Sequence, residues 1–212
     1  MIETLAAKAP AKLIVRDTGE ESRVSDRFTF ESMPRLESAR LVLREADPGR
    51  DLEGLFELFA DPEVARFTDT GPFTTLDEAV EVMAWISDIF TRQRGMRWVI
   101  APASAEERLI GTCGFNVWRQ SNNSAEIGYD LARPHWGQGL MTEALGVLLR
   151  FGFERMDLNR VEADVTVGND GSARVLEKLG FQEEGVLRQR GFWKGDYHDL
   201  RLFSLLREEW PG

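Results

Sequence analysis

A chain of 212 residues with 42% hydrophobic and 10% aromatic residues is long enough for one globular domain with a sizeable core. Its net charge of −10 excludes the basic footprint of a nucleic-acid binder; an acidic surface serves either a cationic partner or solubility alone. One cysteine, Cys113, excludes an intrachain disulfide and a cysteine-based zinc site, and no apolar run reaches the ~18 residues needed to span a bilayer.

Cys113 lies in an apolar run and reads as a buried, inert thiol. The two histidines, His135 and His198, lack the spacing of metal ligands, so no metal is expected. The N-terminus has no basic region followed by an apolar block, hence no secretory signal, and the cytoplasm is the expected compartment.

Residues 1–34 differ in texture from the rest. They read either as an ordered appendage or as an extension upstream of a natural start at Met33, and the domain proper spans 35–212. Residues 40–44 read as a strand. Residues 51–60 repeat apolar positions at helical spacing, with Asp51 as cap. Thr75 and Glu78, at capping-box spacing, open a second helix that runs to about 94. Strands follow at 97–101, 108–115 and 125–131, close enough for antiparallel hairpins. A loop at 131–139 leads into a helix from 140 to about 155. A strand at 161–167 comes next, then a helix at 169–179 closed by Gly180. Strands near 186–190 and 200–206 end the chain. Strand, helix, strand from 125 to 167 requires a parallel pair with a right-handed crossover. The expected fold is therefore α/β (α+β): a mixed, largely antiparallel sheet of about six to seven strands flanked by helices.

Trp136-Gly137-Gln138-Gly139-Leu140-Met141-Thr142-Glu143 carries the main chemical signal. Glycines at 137 and 139 permit backbone conformations closed to other residues, and a helix follows at once. Its free N–H groups and positive dipole end can receive a phosphate, and Thr142 adds a hydroxyl. The run is neither a Walker loop nor the dinucleotide fingerprint. On its own it also fits an ordinary turn before a helix.

Four blocks in order extend the signal: residues 36–44; 125–131 with Trp136-Gly137-Gln138-Gly139 and Thr142-Glu143-Ala144; 169–181; and Gly195-Asp196-Tyr197-His198-Asp199 before 205–210. Together they resemble the GNAT acetyltransferase superfamily, and more narrowly its RimJ/RimL-type, ribosomal-protein N-terminal acetyltransferase branch. The resemblance implies acetyl-CoA as cofactor and a sheet splayed between the strand ending at Leu131 and the one starting near Val161. It implies that the pantetheine lies in that gap against the backbone of Tyr129 and Leu131. It also implies a pyrophosphate held by the loop from Trp136, on the amides of Gly137, Gln138, Gly139, Leu140 and Met141. Asn169 would reach the pantetheine. Arg174 or Lys178 would approach the adenosine phosphate, or else form a solvated helix face. Pro134 stands where the superfamily usually has Gln or Arg.

Aminolysis of a thioester needs a neutral amine, help for the oxyanion and a proton for the thiolate. A backbone amide near Tyr129 can polarise the carbonyl. Where many relatives place a tyrosine acid this chain has Leu176; the RimJ/RimL-type branch lacks it too, and Ser172 is then the candidate acid, or a helix-capping serine. Glu126 is the candidate base, or a solvent-facing strand residue. Freeing an α-amine at pH 7 costs about 1.4 kcal/mol against about 4.6 for lysine, so a site without a strong base suits an N-terminal α-amine. Phe67, Phe73, Trp85, Trp98, Phe115 and Trp118 are core residues or walls of an acceptor cleft. The expected function is acetyl transfer to an amine in a ternary complex, best matched to a protein or peptide N-terminus. Small-amine acetylation and a degenerate acyl-CoA-binding module stand as alternatives. No nucleic-acid or membrane partner is expected, and the assembly is read as a monomer or homodimer.

Overall fold

The computed structural model describes residues 29–210 and Gly212. Among these residues eight strands form one sheet, β1 (Leu36–Glu37), β2 (Leu41–Arg44), β3 (Met96–Pro102), β4 (Gly111–Arg119), β5 (Ser124–Leu131), β6 (Arg160–Thr166), β7 (Gln182–Trp193) and β8 (Asp196–Leu206), in the order β1-β2-β3-β4-β5-β6-β8-β7. Only β5 and β6 pair in parallel; the other neighbours are antiparallel. The helices are α1 (Pro48–Ala60), α2 (Pro62–Ala65), α3 (Leu76–Thr91), α4 (Leu140–Arg155) and α5 (Asp170–Lys178). The mixed, largely antiparallel architecture agrees with the sequence expectation. The eighth strand is the two-residue β1, too short for any periodicity to reveal.

Alternation along the strands separates two faces. Ala125, Ile127, Val161, Ala163 and Val165 point into the main core, where Leu145, Leu148 and Leu149 of α4 and Leu176 of α5 meet them. Cys113 is buried in the same core, its thiol pushed up to about 12 by desolvation, so it is inert as expected. A smaller core joins α1 and α3 through Leu55, Leu58, Phe59, Phe73 and Met83. Trp85 of α3 lies 5.6 Å from the Arg97 guanidinium of β3, on the face opposite α4.

Some local expectations shift. Asp47, not Asp51, caps α1, accepting from Gly49 N at 2.9 Å. Asp51 is instead fully buried in a two-bond ion pair with Arg44, both bonds 2.7 Å. At α3 Glu78 accepts the amides of Thr74 and Thr75, the Glu half of the expected capping box. Residues 108–110 are loop, and the strand expected there begins at Gly111. Gly180, at φ +89°, ends the α5 region as expected, with Phe181 N donating to Leu176 O.

The last two strands are longer than their pattern suggested. They form a hairpin turned by Lys194 and Gly195, both at positive φ. For the N-terminal segment, the expectation for residues 1–28 lies outside the described residues. The rings of Phe30 and Phe151 pack at a tilt with centroids 5.4 Å apart, and Pro34 O accepts from Trp98 Nε1 at 2.6 Å, so residues just before 35 pack on the core.

Candidate active site

The two central strands part company early. β5 and β6 pair only at Ser124–Arg160, Ala125–Val161 and Glu126–Glu162. Beyond Glu126, no strand among the described residues covers the β5 edge from Ile127 to Leu131. That opening is the splay expected at the acyl-CoA site, and an extended chain can lie along it.

At its far end the 131–139 loop turns into α4. Gly137 and Gly139 take left-handed backbone at φ +72° and +74°, and Gly139 is the α4 N-cap. A side chain at either position would be strained. Glu143 N is the first amide to close a helical bond, onto Gly139 O at 3.1 Å. Among the described residues no acceptor meets the amides of 137–142, while the Leu140 and Met141 side chains are buried beneath them. Free amides at the positive end of a sixteen-residue helix fit a pyrophosphate. Thr142 lies in the same first turn. Pro134 contributes here through its carbonyl, which accepts from Gln138 Nε2 at 2.8 Å. Trp136 closes the loop from above, its indole Nε1 donating to Leu131 O at 2.7 Å. Arg174 and Lys178 are exposed on α5.

Across the splay, Tyr129 of β5 and Ser172 of α5 come together, hydroxyl to hydroxyl at 2.7 Å. Burial pushes the Tyr129 phenol well above its ordinary value, so it stays protonated. The capping role weighed for Ser172 belongs to Asn169, whose Oδ1 accepts from Ser172 N at 3.2 Å. That leaves the serine hydroxyl free for Tyr129 and for the gap. Leu176 is fully buried in the core where a tyrosine acid would otherwise stand.

Glu126 lies on the opposite face of β5 from Tyr129, since the strand alternates. It accepts from Arg119 at 3.4 Å and is largely enclosed. Desolvation, and then the Asp164 carboxylate on β6, push its pKa above the usual glutamate range, with Arg119 opposing. Asp164 is itself raised by burial, which its partner Arg190, at 3.8 Å, opposes. The structure thus brings together two groups: Tyr129 with Ser172 on one side of the opening, and Glu126 with Asp164 on the other. Asp164 was missed because nothing near it in sequence marks it; only the register of β5 on β6 puts it beside Glu126.

The far wall is built by elements distant in sequence. Lys194 Nζ at the hairpin tip donates to Ala65 O at 2.7 Å and Thr68 O at 3.0 Å, and Thr166 Oγ1 donates to Phe67 O at 3.2 Å. The α2–α3 loop is thereby held beside the open end of β6. Of the aromatics considered for the cleft, Phe73, Trp98, Phe115 and Trp118 are buried, and Phe67 and Trp85 remain partly exposed.

With Ser172 as acid, Ser172→Ala should lower kcat by roughly 10²-fold and leave acetyl-CoA binding nearly intact. The effect is held to the low end because a thiolate is a far weaker base than an alkoxide and already leaves readily. Steady-state kinetics beside calorimetric binding read the two quantities separately.

Comparison with known proteins adds the chemistry. The acetyltransferase (GNAT) domain matches residues 40–182. An uncharacterized N-acetyltransferase, p20 of Bacillus licheniformis, is 40% identical over 180 residues, covering 85% of this chain and all of its own length. The ribosomal-protein-serine acetyltransferase of Escherichia coli is 36% identical over 99 residues, 47% of this chain and 55% of that one. Among solved structures, the RimL ribosomal L7/L12 α-N-protein acetyltransferase in complex with coenzyme A superposes with a TM-score of 0.70 at 26% identity, covering 80% of this chain and 95% of its own.

Proposed function

Because this chain belongs to the GNAT acetyltransferase family and takes its acetyl group from acetyl-CoA, we propose that its acceptor is the N-terminal α-amine of a protein or peptide, attacking the thioester directly in a ternary complex. The observation that carries the reading is the disposition of Glu126 and Ser172 on opposite faces of β5 at the splay. Glu126 receives the proton of the incoming amine, directly or through water, from the acceptor face. Ser172, bonded to Tyr129, gives a proton to the departing sulfur on the other face. The exposed β5 edge near Tyr129 offers backbone donors to the carbonyl.

The weak base supports the choice of amine. A carboxylate raised above the ordinary glutamate range still lies far below a lysine ammonium, whose deprotonation at pH 7 costs about 4.6 kcal/mol. The half-buried carboxylates Glu126, Glu162 and Asp164 on the acceptor face favour binding of the amine as its ammonium, which becomes the nucleophile once its proton is removed. The relatives named for acetylation of ribosomal proteins point the same way.

Thiol release from acetyl-CoA over an amine panel tests the reading. Peptides with free N-termini should turn over, and polyamines, aminoglycosides and N-terminally blocked peptides should not. Turnover with small amines alone would reassign the acceptor.

Acetyl-CoA at 100 times its dissociation constant should stabilise the fold by ~2.7 kcal/mol, a rise of roughly 5 to 10 °C in thermal unfolding. Gly139→Val should abolish most of that shift, because a β-branched residue resists the left-handed backbone on which the loop amides depend.

A further inference from the structure

The pyrophosphate loop is gripped from behind by residues about a hundred positions earlier in the chain. Glu143, in the first turn of α4, accepts from Arg40 N at 2.9 Å, from Arg40 Nε at 2.6 Å and from Ser38 Oγ at 2.8 Å. Burial works against its charge, but these bonds outweigh burial and hold the carboxyl below the usual glutamate range. A carboxylate beside an anion site would ordinarily repel the ligand; here it is matched by a guanidinium.

The same guanidinium reaches the loop itself. Arg40 Nη1 donates to Gln138 O at 3.2 Å, and among the described residues it is the one side chain bonded to that carbonyl. In a trans peptide the carbonyl and the next N–H point in opposite directions. Fixing Gln138 O toward Arg40 therefore turns the N–H of Gly139 away from it, toward the side where an anion is received. A cation on the carbonyl also polarises the peptide and strengthens its donor. The loop needs such a hold: residues 136–139 are all exposed, and two of them are glycines with little restraint of their own.

We infer that Arg40 is a positioning residue for cofactor recognition: braced by Glu143, it sets the Gln138–Gly139 peptide plane so that the loop amides face the pyrophosphate. This rests on the reading that loop 137–142 holds that group. The brace also joins the β1–β2 turn to α4, so the first strands of the domain and the cofactor loop are set together.

Isothermal calorimetry on the full chain tests it, with coenzyme A and S-acetylpantetheine, which lacks the phosphates, as paired ligands. Arg40→Ala should weaken coenzyme A about tenfold or more while leaving S-acetylpantetheine unchanged, the loss expected for a charge-assisted bond to a backbone group. Arg40→Lys should recover only part, since one ammonium cannot serve both Glu143 and Gln138 O in fork geometry. Unfolding of the free protein should shift little, because Arg40 is a half-exposed partner. An unchanged coenzyme A affinity in Arg40→Ala, or equal weakening of both ligands, would overturn the inference. If the wild-type protein binds coenzyme A no more tightly than S-acetylpantetheine, the loop reading itself falls, and the inference with it.

Discussion

Glu126→Gln should lower kcat by about 10²- to 10⁴-fold while acetyl-CoA affinity stays within error, the span expected when a general base is removed. The split follows from geometry. Glu126 projects from the face of β5 opposite Tyr129, and the cofactor-side pair of Tyr129 and Ser172 is untouched by the change. Glutamine keeps the shape and an acceptor for Arg119, so the fold should persist. The pH dependence adds a second readout. A base works only when deprotonated, so kcat/KM in the wild type should rise with pH through the Glu126 pKa, above the ordinary glutamate value. Asp164→Asn removes a carboxylate that holds that pKa up, so this limb should move to lower pH. Arg119→Ala removes an opposing cation, so the limb should move to higher pH. A Glu126→Gln protein with wild-type kcat would return the residue to a structural role.

Asp51→Ala should be strongly destabilising. It leaves Arg44, 6% exposed, buried without its carboxylate, and orphans the Asp47 amide that Asp51 accepts at 2.8 Å. Breaking a buried pair costs about 3–5 kcal/mol, which is roughly 6 to 20 °C of melting temperature at this chain length. Differential scanning calorimetry reads it directly. Replacing both partners with apolar residues of similar volume should recover part of the loss, because no lone charge then stays buried. Recovery will be incomplete, since Arg44 also serves Glu106 O at 2.7 Å and Glu45 O at 3.2 Å. A drop of a degree or less for Asp51→Ala would mean that water reaches the pair.

What was legible in the sequence follows the range of the interactions. The β5–α4–β6 unit could be read because its signals are local: apolar periodicity in α4, alternation in β6, and the two glycines that need left-handed backbone. Asn169 and Gly180 likewise mark the ends of α5 within a few residues of where they act. The β7–β8 hairpin was harder. Most of β7 is exposed, so its pattern lacks the apolar alternation that marks a half-buried strand, and the turn at Lys194-Gly195 is not among the strongest hairpin pairs. Asp51 was misassigned as a cap because Asp47 and Asp51 both stand near the helix start; only the buried Arg44 separates their roles.

The site was legible in its loop and opaque in its supports. Composition and spacing pointed to an anion-binding turn that fitted ordinary punctuation better, and the ordered resemblance of four blocks made it the expected cofactor site. The long-range partners left no such trace. Arg40 and Glu143 are 103 positions apart, Tyr129 and Ser172 are 43 apart, and Lys194 reaches Ala65 across 129. Each contact exists because the sheet places its strands in the order β5-β6-β8-β7 with β1 and β2 at the other end, and no local pattern encodes that order.

The most direct measurement is to incubate the protein with acetyl-CoA and a peptide carrying both a free N-terminus and an internal lysine, then locate the acetyl group by tandem mass spectrometry. Acetylation at the N-terminal α-amine, lost in Glu126→Gln, is the predicted result. Acetylation confined to the lysine side chain would contradict the account.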